Sequence, residues 1–244
     1  MTSASALDGK VAVVTGSSKG IGRALAIGLG QAGANVVVNY KNDRAGTEQT
    51  CRRVQEAGGI AVAVSADVGV PENAQQLIDT AHRELGSVDV LVNNAARVRL
   101  GPARAVIAED WDDAINTNLR GAFLTTMAAV AAMGERGGSI INISTCAATL
   151  MLRYHSVYTA SKGGLEAMTR GARAARAGQR HRAHGNEHGA QLAVRPQLRP
   201  QLERRHPGSY MTADEAIEQS VEMVDPISAG NWFDKYEWQS ARVD

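Results

Sequence analysis

The sequence predicts an α/β chain folded as a doubly wound parallel sheet in a single domain, residues 1–244. Three observations carry that expectation. Short apolar runs alternate with helical stretches at the rhythm of βαβ units. A glycine-rich turn joins the first run to the first helix. The polar motifs all fall just after apolar runs, where such a sheet collects its ligands.

The elements read in order. Lys10–Val14 is a short apolar run of the buried-strand kind, breaking into Thr15-Gly16-Ser17-Ser18-Lys19-Gly20-Ile21-Gly22. The helix that follows puts Leu25 and Leu29 on one face. Ala34–Tyr40 is a second strand, and Arg44–Ala57 a helix stopped by Gly58-Gly59. Ile60–Val68 is the third strand; Pro71–Leu85 is a helix with proline at its start and Gly86 beyond its end. Val88–Val92 is the fourth strand, running into Asn93-Asn94-Ala95-Ala96. A long helical stretch, Glu109–Met133, is interrupted at Gly121, and Gly138–Ser144 supplies a fifth strand.

A hydrophobic fraction of 44% with a formal charge of +1 describes an ordinary globular chain, with nothing that calls for nucleic acid as partner. No apolar run approaches membrane-spanning length, and Met1–Asp8 lacks the basic and apolar regions of a signal peptide. The expected compartment is the cytoplasm. Cys51 and Cys146 stand far apart and form no metal-ligand pattern, so no metal is expected.

Strand, glycine turn and helix together form a dinucleotide-phosphate cradle. Glycine lets the backbone approach the pyrophosphate, and the free amides of the helix N-terminus face its charge. At the end of the second strand, where an acid would bond the ribose 2′-hydroxyl of NAD, the run is Asn39-Tyr40-Lys41-Asn42. Lys19 and Lys41 are expected to face the 2′-phosphate of NADP, with NAD use left open; the other reading is two solvated lysines. Tyr158 and Lys162 stand four apart on one helix face, so the ammonium lies near the phenol. A nearby cation favours phenolate and makes the tyrosine a usable proton donor and acceptor.

These motifs resemble the short-chain dehydrogenase/reductase family over roughly the first two-thirds of the chain. Thr15–Gly22 is similar to its TGxxxGIG, Asn93–Ala96 to its NNAG with alanine for the last glycine, Asn116–Gly121 to its NxNxxG segment, and Tyr158 with Lys162 to its YxxxK. Nearest in pattern are 3-oxoacyl-carrier-protein reductases and glucose 1-dehydrogenases, the latter through Val37–Lys41 and Ala160–Gly164. The resemblance implies a Rossmann-type fold and hydride exchange between NAD(P) and a secondary alcohol or ketone. It implies that Tyr158 exchanges the proton, that Lys162 holds the nicotinamide ribose and tunes Tyr158, and that Asn118 anchors a water relay. Gly16, Ser18, Lys19, Gly20, Ile21 and Gly22 would form the phosphate turn, Asp67 and Val68 would contact the adenine, and Asn93 would line the cofactor channel.

The family's serine, thirteen residues before the tyrosine, is here Thr145, preceded by Ser144. A threonine hydroxyl makes the same bonds, so the role goes to Thr145 with Ser144 in reserve. On this reading Thr145→Val cuts turnover heavily and Ser144→Ala little. The loop Leu150–His155 would wall the substrate with apolar groups and one cation; His155 reads as a helix-start or surface residue. Arg97 and Arg99 read as solvated, with an acidic substrate as the alternative.

From Gly171 to His206 the chain is poor in large apolar residues and carries four of the six histidines. This irregular segment, 171–206, reads either as a stretch translated out of frame or as a basic insertion. Within it only Gln191–Val194 suggests a strand. Pro207, Gly208 and Thr212 then match the family's PGxxxT, whose threonine holds the carboxamide. Ala213–Val224 is expected as a closing helix, and the aromatic run Asn231–Trp238 as part of a substrate lid or subunit contact. The family's last helix and strand are not found, giving a shortened C-terminus and favouring a homodimer through the helices around 109–133 and 158–169 over a tetramer. A catalytically weak nucleotide-binding regulator is the alternative function.

Overall fold

In the computed structural model, residues 6–149, 152–183 and 236–242 are described. Val11–Val14 forms β1, Asn35–Tyr40 β2, Ala61–Ser65 β3, Val90–Asn93 β4, Gly138–Ser144 β5 and Tyr236–Arg242 β6. They make one parallel sheet in the order β3-β2-β1-β4-β5-β6. The chain reverses direction across the sheet between β1 and β4, so the switch-point crevice opens at the carboxyl ends of those two strands.

The helices follow from local signals. Helix α1 spans Gly20–Gln31, α2 Arg44–Glu56, α3 Pro71–Leu85, α4 Ala108–Ile115, α5 Ala122–Met133 and α6 Ser156–Ala183. Asp43 caps α2, its carboxylate accepting from the Gly46 amide at 2.9 Å. Pro71 opens α3 and Gly86, at φ +83°, closes it in the left-handed conformation that glycine adopts freely. Two apolar layers cover the sheet. Leu25 and Leu29 of α1 pack on Val14, Val36, Val38 and Ile141, while Leu77 and Ile78 of α3 pack on Val13, Val37 and Leu91. Strands β1, β2, β4 and β5 are buried on both faces, which explains their runs of valine and isoleucine, whereas β3 is partly exposed.

The sequence expectations and the structure differ at three places. The stretch 109–133 is not broken at Gly121; α4 passes into α5 through a π turn, Asn116–Gly121. Gly121 sits inside that turn because a Cβ there would lie 2.8 Å from Val68 Cγ2. The segment expected to be irregular from 171 continues α6 to Ala183, since alanine and arginine are strong helix formers even without an apolar stripe. The end of the aromatic run forms a strand that local pattern does not suggest: Tyr236–Trp238 begin β6, which pairs in parallel register with all of β5. Tyrosine and tryptophan favour strands, and pairing with a neighbouring strand decides the matter. Gln191–Val194, the PGxxxT residues Pro207, Gly208 and Thr212, and Ala213–Val224 lie outside the described residues.

Candidate active site

The glycine turn is held from behind by side chains that bond its backbone. Asn94 Nδ2 donates to the carbonyls of Thr15 and Gly16 at 2.9 and 3.0 Å, and Asn39 Oδ1 accepts from the Gly16 amide at 3.1 Å. Arg23 Nε donates to Ser18 O and to Thr50 Oγ1, both at 3.1 Å, tying the turn to α2. Gly16 has φ +61°, and a Cβ there would lie 2.8 Å from Ala95 Cα, so only glycine fits. At Gly22 a Cβ would run into the Asn94 amide.

The front of the turn is open. Lys19 stands at the N-cap of α1 without a side-chain bond to the first-turn amides, and no acid occupies that turn. Gly20, at φ +57°, faces empty space. Uncapped amides at a helix N-terminus, with room in front of them, fit the pyrophosphate of a dinucleotide.

Lys19 and Lys41 are exposed, and Lys41 Nζ pairs with Asp67 Oδ2 at 2.6 Å. Asp67 also accepts from the Gly69 amide at 3.0 Å. Burial pushes its carboxyl up, but the bonds from Lys41 and Gly69 outweigh that and hold it below the ordinary value. Val68 is buried beside it.

Helix α6 lies along the carboxyl end of β5, gripping it with one face. Thr159 Oγ1 donates to Ala147 O at 3.3 Å, Lys162 Nζ to Ile143 O at 2.6 Å, Ser144 Oγ to Glu166 Oε1 at 2.7 Å, and Asn142 Nδ2 to Thr169 Oγ1 at 2.9 Å. Tyr158 is half-buried one turn before Lys162. The Lys162 side chain is only 2% exposed, and burial pushes its ammonium down to about 8. Near neutral pH it therefore remains mostly a cation.

Thr145, extended and buried, caps the short turn Cys146–Ala148, its Oγ1 accepting from the Ala147 amide at 3.2 Å. Asn118 is buried in the π turn; its amide donates to Arg97 O and Ser161 Oγ, both at 2.9 Å, and its oxygen accepts from the Arg97 amide at 2.7 Å.

One expected role moves. The Asn93 side chain does not line a channel: its amide donates to Ala122 O, Thr126 Oγ1 and Asn142 Oδ1, and its oxygen accepts from Thr125. Strand alternation turns it into the core and leaves Asn94 to meet the glycine turn. The Ser144 hydroxyl, held in reserve on sequence grounds, donates to Glu166, while Thr145 Oγ1 accepts from the Ala147 amide. Sequence reasoning missed Asn94, Asn39, Arg23 and Glu166. The paired asparagines after the fourth strand were the one available signal, since only one of two neighbours can face the turn.

Beside this site the loops after β4 and β5 are joined by a bond from the Gly101 amide to Tyr154 O at 3.0 Å. A cavity of about 420 Å³ opens there, lined among others by Gly101, Ala147, Ala148, Leu152, Tyr154 and Thr159. Val98, Leu100, Leu152 and Tyr154 expose large apolar surfaces around it. Tyr154, at φ +68°, is the one non-glycine residue in the left-handed region among the described residues. Arg97 and Arg99 are bound at the surface by Asp113 and Asp110, at 3.1 and 3.0 Å.

Residues 10–182 match the family model of the short chain dehydrogenases. The chain is 41% identical over 167 residues to glucose 1-dehydrogenase 2 of Bacillus subtilis, covering 67% of this chain and 64% of that protein. Among solved structures, a putative short-chain alcohol dehydrogenase from Sinorhizobium meliloti superposes with a TM-score of 0.74 at 27% identity, over 98% of this chain and 96% of that one. Landomycin C-6 ketoreductase, solved with NADP and rabelomycin, superposes with a TM-score of 0.63 at 34% identity, over 67% and 69% of the two chains. The chain spans 62–66% of the length of several relatives that it matches. The chain belongs to the short-chain dehydrogenase family.

Proposed function

We propose that the chain is a single catalytic unit, an NADP-linked oxidoreductase interconverting a secondary alcohol and a ketone. The observation that carries this reading is the face of α6 on which Thr159 and Lys162 bond Ala147 O and Ile143 O at the end of β5, with Tyr158 half-buried one turn before Lys162. When bound, the nicotinamide supplies or accepts the hydride. Gly16, Ser18, Lys19, Gly20, Ile21 and Gly22 would hold the phosphates, Asp67 and Val68 the adenine, and Lys162 the ribose. Pro207, Gly208 and Thr212 complete the proposed cofactor set. In reduction the Tyr158 phenol gives its proton to the carbonyl oxygen while the Thr145 hydroxyl donates a bond to the same oxygen. The Lys162 ammonium stabilises the phenolate left behind, and Asn118, fixed by Arg97 and Ser161, stands at the start of the proton path.

The preference for NADP is supported by the exposed Lys19 and Lys41 at the crevice. The lining of the neighbouring cavity is uncharged, with Leu152, Tyr154 and three alanines beside the hydroxyls of Thr149, Ser156 and Thr159, which favours a neutral ketone over a carboxylate. Among the described residues no helix is long and apolar enough to cross a membrane, and the proposed compartment is the cytoplasm. The exposed Trp111, Phe123 and Met127 of α4 and α5 support a homodimer.

The test is a cofactor-absorbance assay with a panel of neutral ketones, NADPH and NADH side by side, on protein whose mass is set by light scattering. Tyr158→Phe is expected to lose about 10²–10⁴-fold in kcat while NADPH fluorescence still reports binding. A Phe variant as active as the parent overturns the catalytic reading. Binding without turnover in the parent leaves the chain a nucleotide-binding regulator.

A further inference from the structure

We propose that Glu166 is a positioning residue: its bond to Ser144 fixes the end of β5 so that the neighbouring Thr145 presents its hydroxyl to the substrate. The proposal rests on the reading of Thr145 and Tyr158 above. Glu166 is 5% exposed and Ser144 1%. A carboxylate is costly to bury unless its oxygens are bonded, so an acid here signals a partner that needs it. That partner is the Ser144 hydroxyl, which donates to Oε1 at 2.7 Å. The other oxygen lies 3.6 Å from Arg170 Nη1, one turn further along α6, which orients the carboxylate.

The placement makes the bond more than a local tie. Lys162 and Glu166 stand on consecutive turns of α6 and grip consecutive residues of β5, Ile143 and Ser144. The next strand residue is Thr145, pinned on its far side by the Ala147 amide, and the preceding helix turn carries Tyr158. The Glu166 bond thus sets the register between the element bearing the proton donor and the residue bearing the carbonyl-binding hydroxyl. A displacement of about 1 Å at a reacting group is enough to cost about 10²-fold in rate.

Three variants test this. Glu166→Leu removes the acceptor, Ser144→Ala removes the donor while deleting a single oxygen, and Glu166→Gln keeps an acceptor of the same shape. Glu166→Leu and Ser144→Ala are expected to lower kcat by about tenfold or more, a larger loss for Ser144→Ala than the sequence alone suggests, with the KM for NADPH within about twofold, because register, not cofactor binding, is lost. The double variant falls no further than the worse single, as partners of one bond do, and Glu166→Gln recovers most of the rate.

Hydrogen exchange at the Ala147 amide gives a readout that needs no substrate. It accelerates by about tenfold in Ser144→Ala and stays near the parent rate in Glu166→Gln. Unchanged kcat and unchanged Ala147 exchange in Ser144→Ala overturn the proposal, as do multiplicative losses in the double variant. Should Glu166→Leu fail to fold, Ser144→Ala decides alone. If Tyr158→Phe is inert as well, the site reading has failed; if only the Glu166 and Ser144 variants are inert, this proposal alone has failed.

Discussion

The two halves of the molecule differ in how far their buried polar side chains depend on one another. Around the glycine turn they bond to backbone: Asn39 to Gly16, Val64 and Ala66, Asn94 to Thr15 and Gly16, Arg23 to Ser18. Around β4, β5 and α6 bonds to backbone, as from Lys162 to Ile143 O, are joined by a chain of buried side-chain pairs: Asn93 to Asn142, Asn142 to Thr169, Ser144 to Glu166, Asn118 to Ser161. A side chain that holds backbone needs nothing particular of its neighbour's identity. A buried side-chain pair needs both members, since losing either leaves the other unsatisfied. The glycine turn therefore rests mainly on side chains holding backbone, and the region around α6 adds buried pairs that stand or fall together.

Substitutions break or sharpen that contrast. After Tyr158→Phe, the largest effect is expected from Thr145→Val, which keeps shape and removes the hydroxyl. Steady-state kinetics should show kcat down about 10²–10³-fold with cofactor KM unchanged, the cost of losing one bond to the reacting oxygen. A retained kcat would move the role elsewhere.

Next is Lys162→Met, where stability and activity part ways. The lysine is held to about 8 in the folded chain against 10.5 when free. Below pH 8 both states are protonated and the burial cost, about 3 kcal/mol, is fully present. Between pH 8 and 10.5 the folded state releases its proton first, the unfolded state binds more, and stability rises with pH. Methionine removes that cost but orphans Ile143 O, a loss of about 1 kcal/mol. Urea midpoints should show Lys162→Met more stable by about 2 kcal/mol at pH 7, an advantage that fades through this window, while activity is lost. An advantage independent of pH would contradict a protonated, buried lysine.

The smallest effect belongs to the cradle. Lys41→Ala should weaken NADP binding by about tenfold and NAD by less than about twofold in calorimetric titration, the loss of one phosphate contact. Equal losses for both would assign Lys41 to its Asp67 partner alone.

Most of the sheet was legible because its signals are local. The boundaries of α3 came from Pro71 and Gly86, and the glycine turn from residues whose geometry leaves few alternatives. What stayed hidden was long-range. Glu166 reads as an ordinary helix residue until its partner 22 positions earlier is known. Asn93 and Asn94 are identical in type, and only strand register separates a core tie from a turn anchor. The edge strand β6 takes its place by pairing with β5, which no local pattern announces.

The buried amide of Asn39 has a bearing on redesign. Its nitrogen faces the carbonyls of Val64 and Ala66 while its oxygen holds the Gly16 amide. Replacing it by an aspartate, in the hope of recruiting an unphosphorylated ribose, would aim a carboxylate oxygen at two carbonyls and loosen the turn itself. Anyone re-engineering coenzyme choice in this scaffold should leave that position alone and work at Tyr40 and Lys41, which reach solvent at the strand's end.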